Sequence, residues 1–193
     1  MIQIVLATSN EHKVSEINAI ANQHGINFIK VQDGFDPVED GVTFEENSAI
    51  KAKEASCLMY ACALADDAGL CVDALGGRPG IHSARYASTQ SEKIEKLLGE
   101  LSDKKNLDER TAFFVCAMTL TNKNGEVLYS TKGICNGKIA FEPCGKGGFG
   151  YDPIFLVDGL NHTMAEFTLD EKNTLSHRAK ALIPMIQWIK ENL

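Results

Sequence analysis

The chain has 193 residues, of which 44% are hydrophobic and 23% are charged, and this composition excludes disordered, collagen-like and coiled-coil proteins. A chain of this length buries about 70% of its unfolded surface, so we expect residues 1–193 to form one domain that needs no disulfide or metal to fold. There are 19 Lys and Arg residues against 26 Asp and Glu, and the net charge of −7 disfavours nucleic acids and membrane surfaces as partners.

The N-terminus and the apolar segments predict a soluble, cytoplasmic protein. No apolar run reaches the roughly 18 residues that a membrane-spanning helix requires. The opening sequence MIQIVLATSNEHK has no basic residues ahead of its apolar stretch, so we do not expect a signal peptide. The six cysteines form no C-x-x-C pair and several lie in apolar runs, as is typical of reduced thiols in a core.

Apolar runs and capping residues in the first part of the chain predict alternating strands and helices. The predicted elements are a strand at 2–7, a helix at 11–22, a strand at 27–31, a loop at 32–42 and a helix at 43–60. Thr43 and Glu46 have the spacing of a capping box, which marks the start of the second helix. Residues 61–65 either finish that helix or form a short strand, and periodicity does not decide between the two.

The second part of the chain predicts a hairpin between two helices. Glycines break regular structure at 76–80, and helical spacing resumes at 92–101. Strand-like runs at 110–120 and 126–134 flank an Asn-Gly pair that is favoured in hairpin turns. A last helix runs from 176 to the end, with Pro184 predicted to kink it. The whole pattern indicates an α/β domain with a mixed sheet.

Polar residues directly after the first predicted strand are the first candidate site. Thr8, Ser9, Asn10 and Lys13 surround the start of a helix, where unpaired N–H groups and the helix dipole favour a phosphate. The alternative is plain helix capping beside a solvated lysine, because caps of this composition are common and the chain has no Walker A pattern here.

Adjacent carboxylates at Asp66 and Asp67 are the second candidate. They follow an apolar run and precede Gly69, where a strand is expected to end at a loop, and side chains of neighbouring strand residues face opposite ways. Carboxylates are ligands for Mg²⁺ and general bases, and the alternative is an Asp turn. Glu39 and Asp40 form a second acidic pair, for which a solvated surface is the alternative.

The segment Gly145–Gly150 matches G-x-G-x-x-G but does not predict a dinucleotide site. Pro143 precedes the glycines and Pro153 follows them, whereas that motif needs a strand before it and a helix within it. We interpret the segment as an irregular loop, in which Phe149 and Tyr151 either offer ring faces to a flat base or pack into the core.

Two helical segments carry further charged groups. Asn47, Lys51 and Glu54 fall on one face of the second predicted helix, which indicates either a polar site or an i,i+3 salt bridge. Cations and polar groups also cluster near the start of the last helix, where positive charge opposes the dipole; they are Lys172, Ser176, His177 and Arg178. This cluster indicates an anionic or acceptor-rich ligand, and the alternative is pairing with Asp170 and Glu171.

Six segments, in order along the chain, resemble the inosine triphosphate pyrophosphatase family of hydrolases that remove non-standard purine nucleotides. The segments are ATSNEHK, TFEENSAIKA, ADDAGL, LGGRPGIHSARY, GGFGYDPIF and EKNTLSHRAKAL. The resemblance implies one pyrophosphatase domain with a long curved mixed β-sheet, flanking helices, two lobes and a central cleft. It also implies a homodimer and a Mg²⁺-dependent hydrolysis of ITP, dITP, XTP or dXTP to the monophosphate and pyrophosphate.

The resemblance also implies roles for individual residues. Asp67 would bind the metal and activate water, and Glu39 would be the second metal ligand. Many members have a glutamate where this chain has Val38, and Glu39 is the nearest replacement; Ala68 also stands where a serine is common. Substrate contacts would come from residues after the first strand, on the second helix, after Asp67, in the aromatic loop and near the last helix. These residues are Thr8, Ser9, Asn10, Lys13, Lys51, Ala68, Phe149, Gly150, Tyr151, Asp152, Lys172, His177 and Arg178.

Two other functions remain open at this stage. One is a pyrophosphatase for other modified nucleotides, which a panel of substrates separates from the first. The other is a non-catalytic nucleotide-binding or RNA-binding module, which the acidic composition disfavours and metal-dependent turnover excludes.

Overall fold

The computed structural model describes residues 3–193, and its first four elements match the sequence-based prediction. Asn10 caps the first helix, and Thr43 and Glu46 form the predicted capping box of the second. Residue Ile2 of the predicted strand lies outside the described residues. The observed elements are β1 (Gln3–Leu6), α1 (Glu11–Gln23), β2 (Asn27–Lys30) and α2 (Phe44–Met59).

The remaining elements confirm the predicted hairpin strands and last helix and add two elements. They are β3 (Ala63–Val72), α3 (Gln90–Glu100), β4 (Thr111–Thr121), β5 (Val127–Ile139), β6 (Phe155–Val157), α4 (Leu169–Leu175) and α5 (His177–Asn192). In the ambiguous segment 61–65, residues 63–65 are the first residues of a strand, β3. The short elements β6 and α4 were not predicted. None of the described helices is long and apolar enough to cross a membrane.

The six strands form one mixed sheet in the order β2-β1-β3-β4-β5-β6. Strand β1 runs parallel to β2 and to β3, and β5 runs antiparallel to β6. The register between β1 and β3 pairs Val5 with Ala63 and Leu6 with Leu64. Parallel and antiparallel pairs in one sheet confirm the predicted α/β class with a mixed sheet.

The chain divides into two compact units, and each has its own core. The first unit comprises the residues through Asp67 together with 116–133 and 177–193, and the second comprises 68–115 and 134–176. Small and β-branched residues dominate the first core, which consists of Val5, Ala7, Val31, Phe35, Ala52, Ala55, Ala63 and Ala65. Larger side chains fill the second core, among them Leu70, Leu97, Leu101, Phe114, Ile139, Tyr151, Ile154 and Phe155.

A buried arginine ties loops of the second unit together. Arg110 is 3% exposed, and its guanidinium donates to four backbone carbonyls. The donor–acceptor distances are 2.8 Å to Ile139, 2.9 Å to Ala140, and 3.3 Å to both Leu101 and Lys104. Buried carbonyls without donors are costly, and the guanidinium supplies a donor to each of these four, of which the Leu101 carbonyl also accepts from the Lys104 amide.

Substitution of Arg110 is expected to destabilise the fold. Arg110→Met keeps much of the side-chain volume but removes four hydrogen bonds to backbone carbonyls, so we expect a loss of at least about 3 kcal/mol in the free energy of unfolding. Urea denaturation followed by circular dichroism measures this change. Arg78→Met is the control, because Arg78 is exposed and forms a surface ion pair with Glu100, and it should cost less than about 1 kcal/mol. Equal losses in the two variants would contradict the structural role of Arg110.

The six cysteines are free thiols, three of them buried. Cys116 lies on β4 with its Sγ atom 3.9 Å from Oδ2 of Asp66. Burial, together with the nearby Asp66 carboxylate, raises the pKa of Cys116 to about 12, so this thiol stays protonated at neutral pH. Cys71, Cys116 and Cys135 therefore fit the core role that the sequence predicts, whereas Cys57 and Cys144 are exposed.

Candidate active site

The two acidic residues at the centre of the candidate site lie within β3. The sequence predicts them at the end of a strand, but β3 continues to Val72, so that part of the prediction is wrong. Asp66 and Asp67 are both buried, at 1% and 7% exposure. Their carboxylates contact different partners, as expected for neighbouring residues of a strand, whose side chains alternate between its faces.

Asp66 belongs to a buried cluster of four charges. Its carboxylate accepts a hydrogen bond from Lys13 Nζ at 3.0 Å and bonds from Arg178 Nε and Nη2 at 3.3 and 3.2 Å. Arg178 also donates through Nη1 to Glu16. Burial alone would raise the pKa of Asp66, but the charges of Lys13 and Arg178 outweigh it and hold that pKa well below its usual range.

The cluster is electrically balanced, since two carboxylates face two cations. The carboxylates of Asp66 and Glu16 raise the pKa of Arg178 against the opposing effect of burial, so the guanidinium stays charged. Glu16 was not predicted from the sequence as part of a site. It follows Lys13 by three residues on α1, and residues at this spacing share a helix face, which is the signal that could have identified it.

Asp67 has its own set of partners on α2 and on the preceding loop. Its carboxylate accepts from Lys51 Nζ at 3.0 Å and from Asn47 Nδ2 at 3.4 Å, and Lys51 Nζ lies 3.4 Å from Glu39 Oε1. Burial raises the pKa of Asp67 despite the opposing charge of Lys51. Burial would lower the pKa of Lys51, but the carboxylates of Asp67, Asp66 and Glu39 raise it, so Lys51 remains an ammonium.

Glu39 lies on the loop before α2 and contacts this cluster through Lys51. Asn47 accepts a hydrogen bond from the Gly41 amide at 2.9 Å, and a side chain at Gly41 would come within 2.6 Å of the same Asn47 oxygen. Asn47 thus connects the loop to Asp67, a role that its predicted position on the helix face did not specify. Val38 is 76% exposed, and the adjacent Glu39 is the acidic residue that reaches Lys51. Glu54, predicted on the same face as Lys51, is exposed.

The residues around Asp67 fit the requirements of a magnesium ion. Mg²⁺ prefers oxygen ligands and is commonly bound by one or two carboxylates together with substrate phosphates. Asp67 and Glu39 both approach Lys51 Nζ, at 3.0 and 3.4 Å, so two carboxylates lie close to one ammonium group. Within residues 3–193 no group of three or more His, Cys, Asp or Glu side chains is arranged to hold a metal.

The turn after β1 shows helix capping. Asn10 Oδ1 accepts from the amides of His12 and Lys13 at 3.0 and 3.3 Å, and Thr8 Oγ1 accepts from the Asn10 amide at 3.2 Å. Ser9 and Asn10 are exposed. Lys13 differs from the solvated lysine of the capping alternative, because its side chain is 15% exposed and paired with Asp66. The capping interpretation is therefore confirmed for the turn, and phosphate binding there stays a prediction.

In the second unit, the aromatic loop is irregular, as predicted. Asp152 Oδ2 accepts from the Phe149 amide at 2.8 Å and from Lys172 Nζ at 2.7 Å. Lys172 Nζ also lies 4.8 Å from the centre of the half-buried Phe149 ring, in cation–π range. Gly150 donates its amide to Gln90 at 3.1 Å. Phe149, Asp152 and Lys172 thus form one local group.

Tyr151 corrects part of the interpretation of this loop. Its side chain is 4% exposed, belongs to the second core, and donates its hydroxyl to the carbonyl of Ser83 at 3.1 Å. The expectation that its ring offers a face to a base is therefore wrong, and the alternative of core packing holds for this residue. Phe149 remains the aromatic ring of the loop that is not fully buried.

The predicted group at the start of the last helix is divided between two helices. Lys172 lies on α4, Ser176 ends α4, and His177 and Arg178 form the first turn of α5. Pairing of Lys172 with Asp170 or Glu171 was the alternative, but its partner is Asp152. His177 and Arg178 are buried, so this turn is not a surface helix start. Ala68 follows Asp67 in β3 and is half-buried.

Comparison with known proteins assigns the chain to a family. A family model described as the Ham1 family matches residues 4–188. The dITP/XTP pyrophosphatase of Treponema denticola is 44% identical over 194 residues, covering 98% of this chain and 99% of that protein. The dITP/XTP pyrophosphatase of Staphylococcus epidermidis is 45% identical over 197 residues, covering 100% of this chain and 97% of that protein.

Comparison with a solved structure shows that the fold is also that of this family. The structure of a HAM1 protein from Coxiella burnetii superposes with a TM-score of 0.87 at 40% identity and covers 99% of this chain and 100% of that chain. The fold class and the resemblance drawn from the six segments are both confirmed. The chain belongs to the Ham1 family.

Proposed function

We propose that this protein is a nucleoside-triphosphate pyrophosphatase that hydrolyses dITP and XTP, with ITP and dXTP, to the monophosphate and pyrophosphate. The relatives named dITP/XTP pyrophosphatase match over nearly the full length of the chain, so the activity in their names is the best supported one for it. Hydrolysis of these nucleotides would clear non-standard purine nucleoside triphosphates from the cellular nucleotide pool. The observation that carries the proposal is the pair of charged clusters around Asp66 and Asp67.

The clusters have the groups that a phosphoryl-transfer site needs. Such reactions depend mostly on positioning and on neutralising the charge of the phosphates, and they require no covalent nucleophile. Lys13 and Lys51 are ammonium groups on either side of the Asp66–Asp67 pair, and Arg178 adds a third cation. In the proposed mechanism Lys13 and Lys51 bind the triphosphate, and water attacks the α-phosphorus with pyrophosphate as the leaving group.

Asp67 is the proposed acceptor of the proton from the attacking water. A carboxylate whose pKa is raised by burial is a stronger base than an exposed one, and that direction suits a general base. Asn47 and Lys51 hold the two oxygens of this carboxylate, which fixes its orientation in β3. Asp67 and Glu39 are the proposed residues for Mg²⁺, and a bound Mg²⁺ would supply positive charge against the phosphate oxygens.

Glu39→Gln tests the second metal ligand. The substitution keeps the shape of the side chain but removes its negative charge, so we expect the Mg²⁺ concentration for half-maximal activity to rise about tenfold, with a smaller change in rate at saturating Mg²⁺. A magnesium titration of pyrophosphate release measures it, with Glu54→Gln on α2 as the exposed control. An unchanged titration in Glu39→Gln would remove Glu39 from the metal site.

By resemblance to the family, contacts with the base are proposed for Phe149, Gly150, Asp152 and Lys172 in the second unit, with Tyr151 contributing its backbone, and separately for His177 and Arg178 in the first unit. Hypoxanthine and xanthine carry a carbonyl acceptor at position 6, whereas adenine carries an amino donor there. A donor such as the Arg178 guanidinium would pair with the first two bases and oppose the third. A buried polar group left without a partner costs roughly 1–3 kcal/mol, which is enough for strong selection against adenine.

A substrate panel tests the proposed function. Initial rates of pyrophosphate release would be compared for ITP, dITP, XTP and the four ordinary nucleoside triphosphates, with and without Mg²⁺. The proposal predicts turnover that requires Mg²⁺ and prefers ITP, dITP and XTP. Preference for a modified pyrimidine would favour a pyrophosphatase for other modified nucleotides, and binding without turnover would favour the non-catalytic module.

The proposal also includes the oligomeric state and the cellular location of the protein. By resemblance to its family we propose a homodimer that works in the cytoplasm and binds neither nucleic acid nor membranes. Light scattering coupled to size-exclusion chromatography measures the mass in solution, for which a dimer of the 21.0 kDa chain is expected. A mass of one chain would contradict the dimer.

A further inference from the structure

Gly133 on β5 lies against the first turn of α5 with no room for a side chain. An added Cβ atom would lie 2.2 Å from the carbonyl oxygen of His177, 2.5 Å from the amide nitrogen of Ala181 and 2.9 Å from the carbonyl carbon of Lys180. All three are backbone atoms, so a side-chain rotation cannot relieve the clash. In the α-helical pattern the Ala181 amide donates a hydrogen bond to the His177 carbonyl, so the first two atoms belong to one turn of α5.

The glycine is required here by space and not by backbone conformation. Gly133 is not among the glycines with a positive φ angle, so alanine could adopt the same backbone angles. Non-bonded heavy atoms are separated by about 3.5 Å at their optimum, so a Cβ at 2.2 Å would move the strand and the helix apart by about 1 Å or more. The missing side chain therefore sets how closely α5 approaches β5.

A second contact holds the same turn of the helix to the same strand. Thr131 Oγ1 donates a hydrogen bond to the carbonyl of Ala181 at 2.9 Å. Thr131 and Gly133 are two residues apart on β5 and so lie on one face of the strand. The first turns of α5 are thus held against β5 by the close backbone approach at Gly133 and by the hydrogen bond from Thr131.

The turn held in this way carries Arg178. The bonds from its guanidinium to Asp66 measure 3.2 and 3.3 Å, close to the outer limit for such bonds. A shift of about 1 Å in the helix would break or redirect them, and it would displace the group proposed to select the base. Residues 131, 133, 178 and 66 all belong to the first compact unit.

We propose that Gly133 is a positioning residue for the pyrophosphatase reaction, because the absence of its side chain sets the place of Arg178. This inference rests on the proposed function, in which Arg178 selects purines with a 6-carbonyl group. Misplacement of a binding group by about 1 Å can lower a rate by about 10²-fold. Gly133 would therefore affect the choice of substrate as well as the stability of the fold.

The test is the ratio of kcat/KM for ITP to kcat/KM for ATP in Gly133→Ala. The ratio is independent of the fraction of folded enzyme, because both substrates are measured on one preparation, and so a purely structural role would not change it. We expect the ratio to fall about tenfold or more. Gly99→Ala is the control, since a Cβ on that helical glycine meets no atom within 4 Å, and its ratio should equal that of the wild type.

Thr131→Val covers the case in which Gly133→Ala does not fold. It removes the hydrogen bond to Ala181 without adding volume, and we expect the ratio to fall about threefold. A wild-type ratio in folded Gly133→Ala, or in Thr131→Val if Gly133→Ala does not fold, would overturn the inference while leaving the proposed function intact. A wild-type enzyme that does not prefer ITP to ATP would overturn the proposed function and this inference with it.

Discussion

Asp67→Asn is expected to lower kcat for ITP by about 10³-fold while the protein remains folded. The substitution keeps the shape of the side chain and one acceptor oxygen for the donors of Lys51 or Asn47, but it removes the negative charge and the basic oxygen. General-base catalysis contributes about 10²–10⁴-fold to a rate, and the loss of a metal ligand adds to that effect. Steady-state pyrophosphate release at saturating Mg²⁺ measures the loss.

The stability of Asp67→Asn should be equal to or slightly above that of the wild type. Burial raises the pKa of Asp67, which means that the folded protein disfavours the charged form of this group, and asparagine removes that cost. Thermal unfolding followed by circular dichroism checks this expectation. Asp158→Asn is the control for activity, because Asp158 is exposed. Wild-type rates in Asp67→Asn would exclude Asp67 from the chemistry.

Asp66→Asn is expected to show the reverse pattern, in which stability is the main loss. Lys13 and Arg178 share the Asp66 carboxylate, so the substitution leaves one buried positive charge in excess of Glu16. Breaking a buried ion pair from one side costs about 3–5 kcal/mol. Urea denaturation at pH 7 should show a loss of this size, with Asp158→Asn again as the control.

The pH dependence gives a second check on Asp66. Its pKa is held below the usual range in the folded protein, so its ionised form stabilises the fold above the pKa of about 3.9 that an aspartate has in an unfolded chain. This contribution is lost as the pH falls below that value. The difference in stability between wild type and Asp66→Asn should therefore be constant from pH 7 to about pH 5 and shrink in more acidic buffer. A difference that grows towards low pH would contradict the assignment.

The helices and most strands could be predicted because local signals specify them. The capping box at Thr43 and Glu46 and the Asn-Gly pair before β5 are set by residues close in sequence, and both were confirmed. Strand β6 has only three residues, too few for a periodic pattern, and α4 is a seven-residue helix that a scan for longer periodic segments passes over. The position of Asp66 and Asp67 within β3 was missed because two charged residues interrupt the apolar run and only Ala68 separates them from Gly69, whereas the apolar run resumes at Leu70.

The chemical groups of the candidate site could be proposed from the sequence, but their contacts could not. Lys13, Asp66 and Arg178 are separated by 53 and 112 residues, and only the packing of α1 and α5 beside β3 brings them together. Tyr151 illustrates the opposite case, since an aromatic residue in a glycine-rich loop is compatible with both a ligand contact and core packing. Burial decides between the two, and burial depends on the whole fold.

Analysis of the products in ¹⁸O-labelled water is the most direct test of the central claim. Wild-type enzyme would be incubated with ITP and Mg²⁺, the products identified by phosphorus NMR, and the position of the label determined by mass spectrometry. Attack of water on the α-phosphorus predicts inosine monophosphate that carries one ¹⁸O atom, together with unlabelled pyrophosphate. Release of inosine diphosphate and orthophosphate, or label in the pyrophosphate, would contradict the proposed reaction.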